Sequence, residues 1–443
     1  MVSMMSRPIF LLVWIVIFIG VGCQSNTPAP APEAPTAEPT VQPVEEIVLM
    51  PAGYTHIRHD GNRMVEGRGS MPDVQPIDVP LDGEPQWVVA VPTQGGSLWA
   101  VALDDGRLLY FQVSGRQVTE LDMSPGRLPA GMPPALSVDE SGNAALVTSD
   151  AEDASPATHP VPIGGGKGRA YIDTDGNLVV RKSTGETRLP VNALPDARIL
   201  VDERDRILLL TDATSRYGHG VLGDATEAAS FTIVETRPEV RIALNIQIPG
   251  DTVVEGIAPI WADLNGDGVR EIIVTLSNAE QGAQVVVFDE SGKIFAEGPA
   301  IGRGSRWRHQ IAVAPFGPNG ELELADVLTP HIGGVTEFYR LEDDRLRVVT
   351  QAPNFTSHVL GSRNLDMAIA GDFDGDGRVE LLLPDQALTK LGAIRRTSDG
   401  TEVAWTIELD GRLTTNIAAV ALSDGRMAVG VGVNDRTLRI WAP

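Results

Sequence analysis

Short apolar runs rich in Val, Ile and Leu, each ended by a glycine-containing turn, predict an all-β chain after residue 46. Four segments of the C-terminal half repeat this pattern, and their turn glycines lie 52, 57 and 48 residues apart, at Gly268, Gly320, Gly377 and Gly425. Two hairpins in each ~50-residue unit form a four-stranded antiparallel sheet that cannot cover its own faces. Radial stacking of such sheets predicts a β-propeller.

The predicted propeller has seven blades of four strands, and eight is the alternative count because the stretch from Ala135 to Pro195 is ambiguous. The region after the N-terminal segments has about 400 residues, more than a single core of ~250–300 residues serves, which also favours repetition. The competing architecture is two smaller β domains divided near Pro249. Small residues in the leading strands suit the crowded axis of a propeller, namely Ala258, Ala312, Ala368 and Ala418.

The N-terminus has the layout of an export signal. Arg7 precedes an apolar run over residues 8–21, and small residues lead to Cys23, the only cysteine of the chain. This arrangement resembles a bacterial lipobox, although Gly20 stands where a lipobox usually has Leu. The resemblance implies a signal peptide over residues 1–22 and lipidation of Cys23. An uncleaved N-terminal anchor is the alternative.

Residues 23–46 are rich in Pro, Ala, Thr and Glu, a composition that cannot form a packed core. We expect this segment to tether the lipid anchor to a propeller domain over residues 47–443. The predicted location is the cell envelope, outside the cytoplasm, with membrane contact through the lipid anchor only. The formal net charge of −24 argues against nucleic acid as a partner.

Two nine-residue loops place oxygen-bearing side chains at positions one, three and five, a glycine at six and an acid at nine. Calcium prefers six to eight hard oxygen ligands, and this spacing wraps them around one point, with the carbonyl of position seven as a further ligand. Acidic turns without metal are the alternative. The candidate ligands are Asp263, Asn265, Asp267, Val269 and Glu271 in loop one, and Asp372, Asp374, Asp376, Arg378 and Glu380 in loop two.

The two loops are not EF-hands, because the closing acid falls at position nine and a strand follows at once. The pattern resembles the FG-GAP or VCBS-type repeats of integrin-like β-propellers. The resemblance is strong over about residues 257–383 and is limited to the spacing of the repeats in the rest of the propeller. The resemblance implies calcium (Ca²⁺) bound in loops between neighbouring strands. The related segment at Asp173 lacks the closing acid and is interpreted as a plain turn.

Basic and aromatic residues cluster in several inter-strand segments of this acidic chain. Because the loops of all blades converge at one mouth of a propeller, these residues are a candidate ligand site: His219, Arg306, Arg308, His309 and His331. Arg and Trp suit an anionic or sugar ligand. The alternative is that each His caps a loop and each Arg pairs with a local carboxylate. The run Gly164-Gly165-Gly166-Lys167-Gly168 lacks the spacing of a phosphate-binding loop and is interpreted as a flexible connection.

The sequence favours a surface-anchored, calcium-binding module that binds or scaffolds a protein or glycan partner. No GxSxG elbow or HExxH motif occurs in the sequence, which favours a binding protein over an enzyme. The alternative function is a calcium-dependent polysaccharide lyase or hydrolase with its His/Arg site at the propeller mouth. The segment around His219, RYGHG, resembles His-Gly elements of propeller lyases that cut pectic polysaccharides.

Overall fold

The computed structural model describes residues 52–53, 58–139, 141–149 and 151–443. The predicted signal peptide (residues 1–22), Cys23 and the tether (residues 23–46) lie outside the described residues. The fold is all-β, with no helix among the described residues. The described part of the chain therefore has no helix that is long and apolar enough to span a membrane.

The strands are short and follow one another closely along the chain. In the N-terminal half they are β1 (Ala52–Gly53), β2 (Met64–Arg68), β3 (Ile77–Pro80), β4 (Pro85–Thr93), β5 (Gly96–Leu103), β6 (Leu108–Ser114), β7 (Gln117–Leu121), β8 (Leu136–Val138), β9 (Ala144–Leu146), β10 (Val161–Ile163), β11 (Gly168–Ile172), β12 (Leu178–Lys182), β13 (Gly185–Leu189), β14 (Leu200–Val201), β15 (Ile207–Thr214) and β16 (Glu227–Glu235). In the C-terminal half they are β17 (Arg241–Gln247), β18 (Val253–Val254), β19 (Ile260–Ala262), β20 (Glu271–Asn278), β21 (Gly282–Phe288), β22 (Ile294–Glu297), β23 (Arg308–Ala314), β24 (Glu323–Leu328), β25 (Val335–Glu342), β26 (Arg345–Pro353), β27 (Ile369–Asp372), β28 (Glu380–Pro384), β29 (Lys390–Thr397), β30 (Gly400–Glu408), β31 (Ala418–Ala421), β32 (Met427–Val433) and β33 (Thr437–Trp441).

Successive strands pair antiparallel as meanders, which is the propeller-like pattern that the turn spacing predicts. The meanders are β4–β7, β10–β13, β14–β17, β19–β22, β23–β26 and β27–β30, with a shorter pair β8–β9 joined by β1. The last meander, β31–β33, gains its fourth strand from β3, whose Ile77 pairs with Ile440. Strands on either side of Pro249 pair through β16, β18 and β20, so the sheet continues across that point.

The hydrophobic core lies between successive sheets rather than inside any one of them. Val88 and Trp99 of the β4–β7 sheet, for example, share a cluster with Ala428 and Ile440 of the β31–β33 sheet. Gly430 is required at this contact, because a Cβ there would lie 2.3 Å from the Trp99 ring. Inner strands such as β5 and β32 are thus buried on both faces, whereas outer strands such as β7 and β17 are largely exposed.

A buried charge cluster ties three distant segments together. The Asp366 carboxylate, 1% exposed, accepts hydrogen bonds from Arg63 Nε at 2.7 Å and from Arg198 Nη1 at 2.9 Å. Arg63 precedes β2, Arg198 precedes β14 and Asp366 precedes β27. The cluster therefore joins the chain just before three strands that are far apart in the sequence. Removing one partner of a buried ion pair leaves an uncompensated charge.

We expect Asp366→Ala to lower the free energy of unfolding by about 3–5 kcal/mol, because Arg63 and Arg198 would lose the buried carboxylate that both of them bind. Glu342→Ala is the control, since the Glu342 side chain is 48% exposed and pairs with the exposed Arg347 at 2.9 Å. That change should cost no more than ~1 kcal/mol. Urea unfolding measures both values, and equal effects would contradict a structural role for the cluster.

Candidate functional site

Loop one connects β19 to β20 and curls around the carboxylate of its first residue. Asp263 accepts hydrogen bonds from the backbone amides of Gly266 at 2.6 Å, Asp267 at 3.2 Å and Gly268 at 2.9 Å. Gly266 and Gly268 have φ values of 78° and 86°, a left-handed conformation that glycine adopts without steric cost. These glycines therefore allow the turn that gathers the oxygen-bearing side chains.

The closing acid of loop one is buried beneath the turn. Glu271 is 4% exposed and accepts hydrogen bonds from the Leu264 amide at 2.8 Å and from Asn265 Nδ2 at 3.2 Å. Burial raises the pKa of Glu271, and the nearby Asp267 and Asp263 carboxylates raise it further. A cation among these groups would favour their ionised forms, because an opposite charge stabilises a carboxylate.

Loop two connects β27 to β28 and repeats this geometry. The Phe373 amide donates to Glu380 at 3.0 Å, as the amide at the second position does in loop one. Carboxylate oxygens of Asp372, Asp374 and Asp376 lie within 4.8 Å of one another. Buried Asp372 Oδ1 accepts no hydrogen bond within the described structure. Burial, with Asp374 and Asp376 close by, raises the pKa of Glu380 to about 8.

Loop two differs from loop one in holding a guanidinium group. Arg395 Nη1 lies 2.7 Å from Asp376, 3.3 Å from Asp374 and 3.5 Å from Glu380. Strand register fixes this position, because Arg395 on β29 is the cross-strand partner of Glu380. The arginine of loop one, Arg270, instead extends away to Asp60 at 2.6 Å. Loop one thus contains no arginine in the equivalent place.

Both loops present oxygen donors of the kind that calcium prefers, namely carboxylate and backbone oxygens in both loops and a side-chain amide oxygen in loop one. The residues that would hold the ion are the candidate ligands predicted from the sequence, but one side chain of loop one would first have to rotate. Asn265 now turns its Nδ2 toward Asp267 and Glu271, so its amide would rotate to offer Oδ1. The backbone amides of Val269 and Arg378 donate to Asp267 at 2.8 Å and Asp376 at 2.9 Å, so position seven is placed alike in both loops.

The structure brings two of the five predicted ligand-site residues into one aromatic cluster. His309 stacks on Trp307 with ring centroids 4.8 Å apart, and His331 stacks on Trp307 at 6.0 Å. His331 Nε2 shares a hydrogen bond of 2.6 Å with His358 Nδ1, and His358 donates from Nε2 to the Ser362 carbonyl. His358 is thus a fourth member that the ligand-site prediction left out.

The other three predicted residues lie in different surroundings. His219 Nδ1 lies 2.5 Å from the buried carboxylate of Glu255. Arg308 is 3% exposed and bonds to Asp326 at 3.3 Å and to Glu337 and Tyr339, because it points to the opposite sheet face from its neighbour His309. Arg306 is exposed and donates to the Ile301 carbonyl at 2.8 Å. Arg308 therefore pairs with nearby carboxylates, as the alternative expects, whereas Arg306 bonds to backbone carbonyls instead.

Arg395 is the site residue that the sequence analysis missed. Its place beside loop two depends on the pairing of β28 with β29, which the motif alone does not define. The corresponding position near loop one, just after Phe288 of β21, is Asp289, an acid rather than a base. Extending the predicted strand pairing from each loop into the hairpin that follows it would have revealed this difference between Arg395 and Asp289.

Comparison with known proteins finds similarity to solved structures, but to no protein family and to no curated protein. The chain is similar to a solved structure titled "Crystal Structure of Mitotic Checkpoint Complex", with 12% sequence identity and a TM-score of 0.41. The similarity covers 86% of this chain and 99% of that chain.

We expect stability to fall as pH drops from about 6.5 towards 4, in part because of the histidine cluster. Burial lowers the pKa of His358 to about 3 and that of His331 to about 4, so they remain neutral while unfolded histidines become protonated. At pH 5 a buried His358 should cost about 2 kcal/mol relative to pH 8.

Urea unfolding at pH 8 and pH 5 tests this effect in the wild type and in His358→Gln. The variant should lose less stability on acidification than the wild type, because it lacks one group that titrates only when unfolded. An equal loss in both proteins would show that His358 does not contribute to the acid sensitivity.

Proposed function

We propose that this protein is an extracytoplasmic, lipid-anchored β-propeller in which calcium stabilises two inter-strand loops, and that it binds a protein or glycan partner. The anchor is the lipid on Cys23, and the proposal of FG-GAP or VCBS-type repeats rests on the two loops. The observation that carries the proposal is the repeated loop geometry, in which an amide at position two binds the acid at position nine.

The arrangement of sheets supports a closed ring of eight blades rather than seven. Strand β3 completes the β31–β33 sheet, and the core between that sheet and β4–β7 joins the two ends of the chain. The stretch where the sequence pattern was ambiguous contains two sheets, the short β8–β9 pair with β1 and the β10–β13 meander. Closure by an N-terminal strand leaves few exposed sheet edges.

Calcium would supply positive charge and link several oxygen atoms of each loop. In loop one the ligands would be Asp263, Asn265, Asp267, Glu271 and the carbonyl of Val269. In loop two they would be Asp372, Asp374, Asp376, Glu380 and the carbonyl of Arg378. Binding stabilises a folded protein by RT ln(1 + [Ca]/Kd), so even a Kd of ~10⁻⁴–10⁻³ M contributes where calcium is millimolar.

The alternative, a polysaccharide lyase or hydrolase, has less to support it. Such a site needs a cation and a base facing one substrate, but Arg308 bonds to Glu337 on the sheet face opposite His309. Arg306 bonds to backbone carbonyls of its own segment. A binding role needs no such convergence and is the function that we propose.

We expect calcium to raise the melting temperature of the full-length protein in detergent relative to the protein in EDTA. Asp267→Ala should remove most of this rise, because loop one has no arginine among its acids. Asp376→Ala should remove a smaller part, since Arg395 already offsets the charge of loop two. Asp424→Ala, in an exposed turn outside both loops, is the control. Equal responses in all four proteins would contradict the proposal.

We expect Arg395→Gln to increase the calcium dependence of loop two. Without the Arg395 guanidinium group, Arg378 would still pair with Asp376, but Asp374, Asp376 and Glu380 would repel one another more strongly until a cation bound. The variant should be less stable than wild type in EDTA and should recover more stability with calcium. Arg347→Gln, which removes an exposed partner of Glu342, serves as the control. A variant that is destabilised equally with and without calcium would contradict this role of Arg395.

A further inference from the structure

A basic cleft opens at the β11–β12 hairpin, far in sequence from both calcium loops. Its volume is about 460 Å³, and it is lined by Thr148, Ser149, Gly166, Lys167, Gly168, Arg169, Tyr171, Arg181 and Lys182. Three successive glycines, Gly164 to Gly166, have φ values of 59°, 64° and 83° and form the turn that leads to Lys167. The glycine-rich run is thus the turn between β10 and β11, where an exposed cation lies at the tip of a hairpin.

The charge of this cleft is opposite to that of the chain. The protein has a net charge of −24 and four lysines, and two of those four, Lys167 and Lys182, line the cleft. Within the described part of the chain, Lys167, Arg169 and Lys182 form no ion pair with a carboxylate. Arg169 and Lys182 instead donate to the backbone carbonyls of Thr148 and Thr236. Three cations of the described residues thus line this cleft of an acidic protein without a carboxylate partner among those residues.

Strand pairing adds a second observation. Arg169 on β11 and Arg181 on β12 are direct cross-strand partners. Like charges directly opposite each other destabilise an antiparallel pair. Glu186 relieves part of this repulsion by pairing with Arg181 at 3.0 Å, but Arg169 has no such acid among the described residues. A bound anion would give Arg169 a negatively charged partner such as Arg181 has in Glu186.

A wider cleft of about 820 Å³ adjoins the basic cleft and shares Thr148, Ser149 and Tyr171 with it. Its other lining residues include Pro125, Pro129 and Pro156, which give it a rigid and less polar wall. The two clefts therefore meet at hydroxyl-bearing residues, and the wider one is also lined by Arg127 and Glu152. This combination suits an elongated ligand with hydroxyl groups and an anionic substituent.

We propose that the basic cleft binds the anionic group of an acidic saccharide, meaning one that carries sulfate, phosphate or carboxylate. Lys167 and Arg169 supply charge-assisted hydrogen bonds, and Thr148 and Ser149 contact the sugar hydroxyls. The proposal rests on the proposed binding function and names its ligand class, but it does not depend on the calcium loops. The negative charge of the whole chain would repel polyanions at other positions.

Isothermal titration of the full-length protein in detergent tests the assignment with four probes: a heparin-derived tetrasaccharide, trigalacturonate, neutral maltotetraose and tetraglutamate. We expect one of the two acidic saccharides to bind, and to bind equally in calcium and in EDTA. Lys167→Gln with Arg169→Gln should weaken this affinity at least ten-fold. Lys293→Gln with Arg303→Gln removes two charges from exposed positions elsewhere and should leave the affinity unchanged.

Several results would overturn the assignment. Binding of tetraglutamate but of neither saccharide would show a peptide site. Binding of maltotetraose with equal affinity would show that the charge is irrelevant. Saccharide binding that EDTA abolishes, or that the Lys167 and Arg169 double variant retains, would place the ligand elsewhere. Absence of binding by all four probes would also reject the proposal, whatever the response of the melting temperature to calcium.

Discussion

Stacked sheets with both faces buried leave little water for the many acidic side chains of this protein, so each buried carboxylate needs a compensating partner. Transfer of an unpaired charge into such an interior is costly, and partners restore the balance only when the geometry is good. Arginine is the usual solution here. The pairings are Asp366 with Arg63 and Arg198, Glu323 with Arg340 and Arg396, Glu337 with Arg308, and Glu380 with Arg395.

A second solution is to keep the acid protonated. Burial and, after it, the neighbouring Glu255 together raise the pKa of Glu227 to about 9, so Glu227 is neutral near pH 7. Glu271 of loop one follows neither solution fully, because it is buried beside Asp263 and Asp267 and its hydrogen bonds come from an amide and from Asn265. The calcium ion that we propose for loop one would supply the positive charge that arginine provides at the other buried carboxylates.

The parts of the fold that the sequence predicted are those encoded locally. Turn glycines and apolar alternation placed the hairpins, and the two acidic loops fall between adjacent strands as the motif requires. Pairings between segments far apart in the sequence, such as β3 with β33, could not be predicted, because no local sequence pattern encodes them. The grouping of Arg308 with His309 overlooked that neighbouring strand residues face opposite sides of a sheet. Arg395 was missed because its position follows from strand register.

The most direct test of the calcium account is equilibrium dialysis of the full-length protein in detergent against radioactive calcium, in parallel with Asp263→Ala. The account predicts saturable binding of two ions per chain in the wild type and of one ion in the variant, with the remaining ion in loop two. Absence of saturable binding to the wild type, or an unchanged stoichiometry in the variant, would contradict it and leave the two loops as acidic turns.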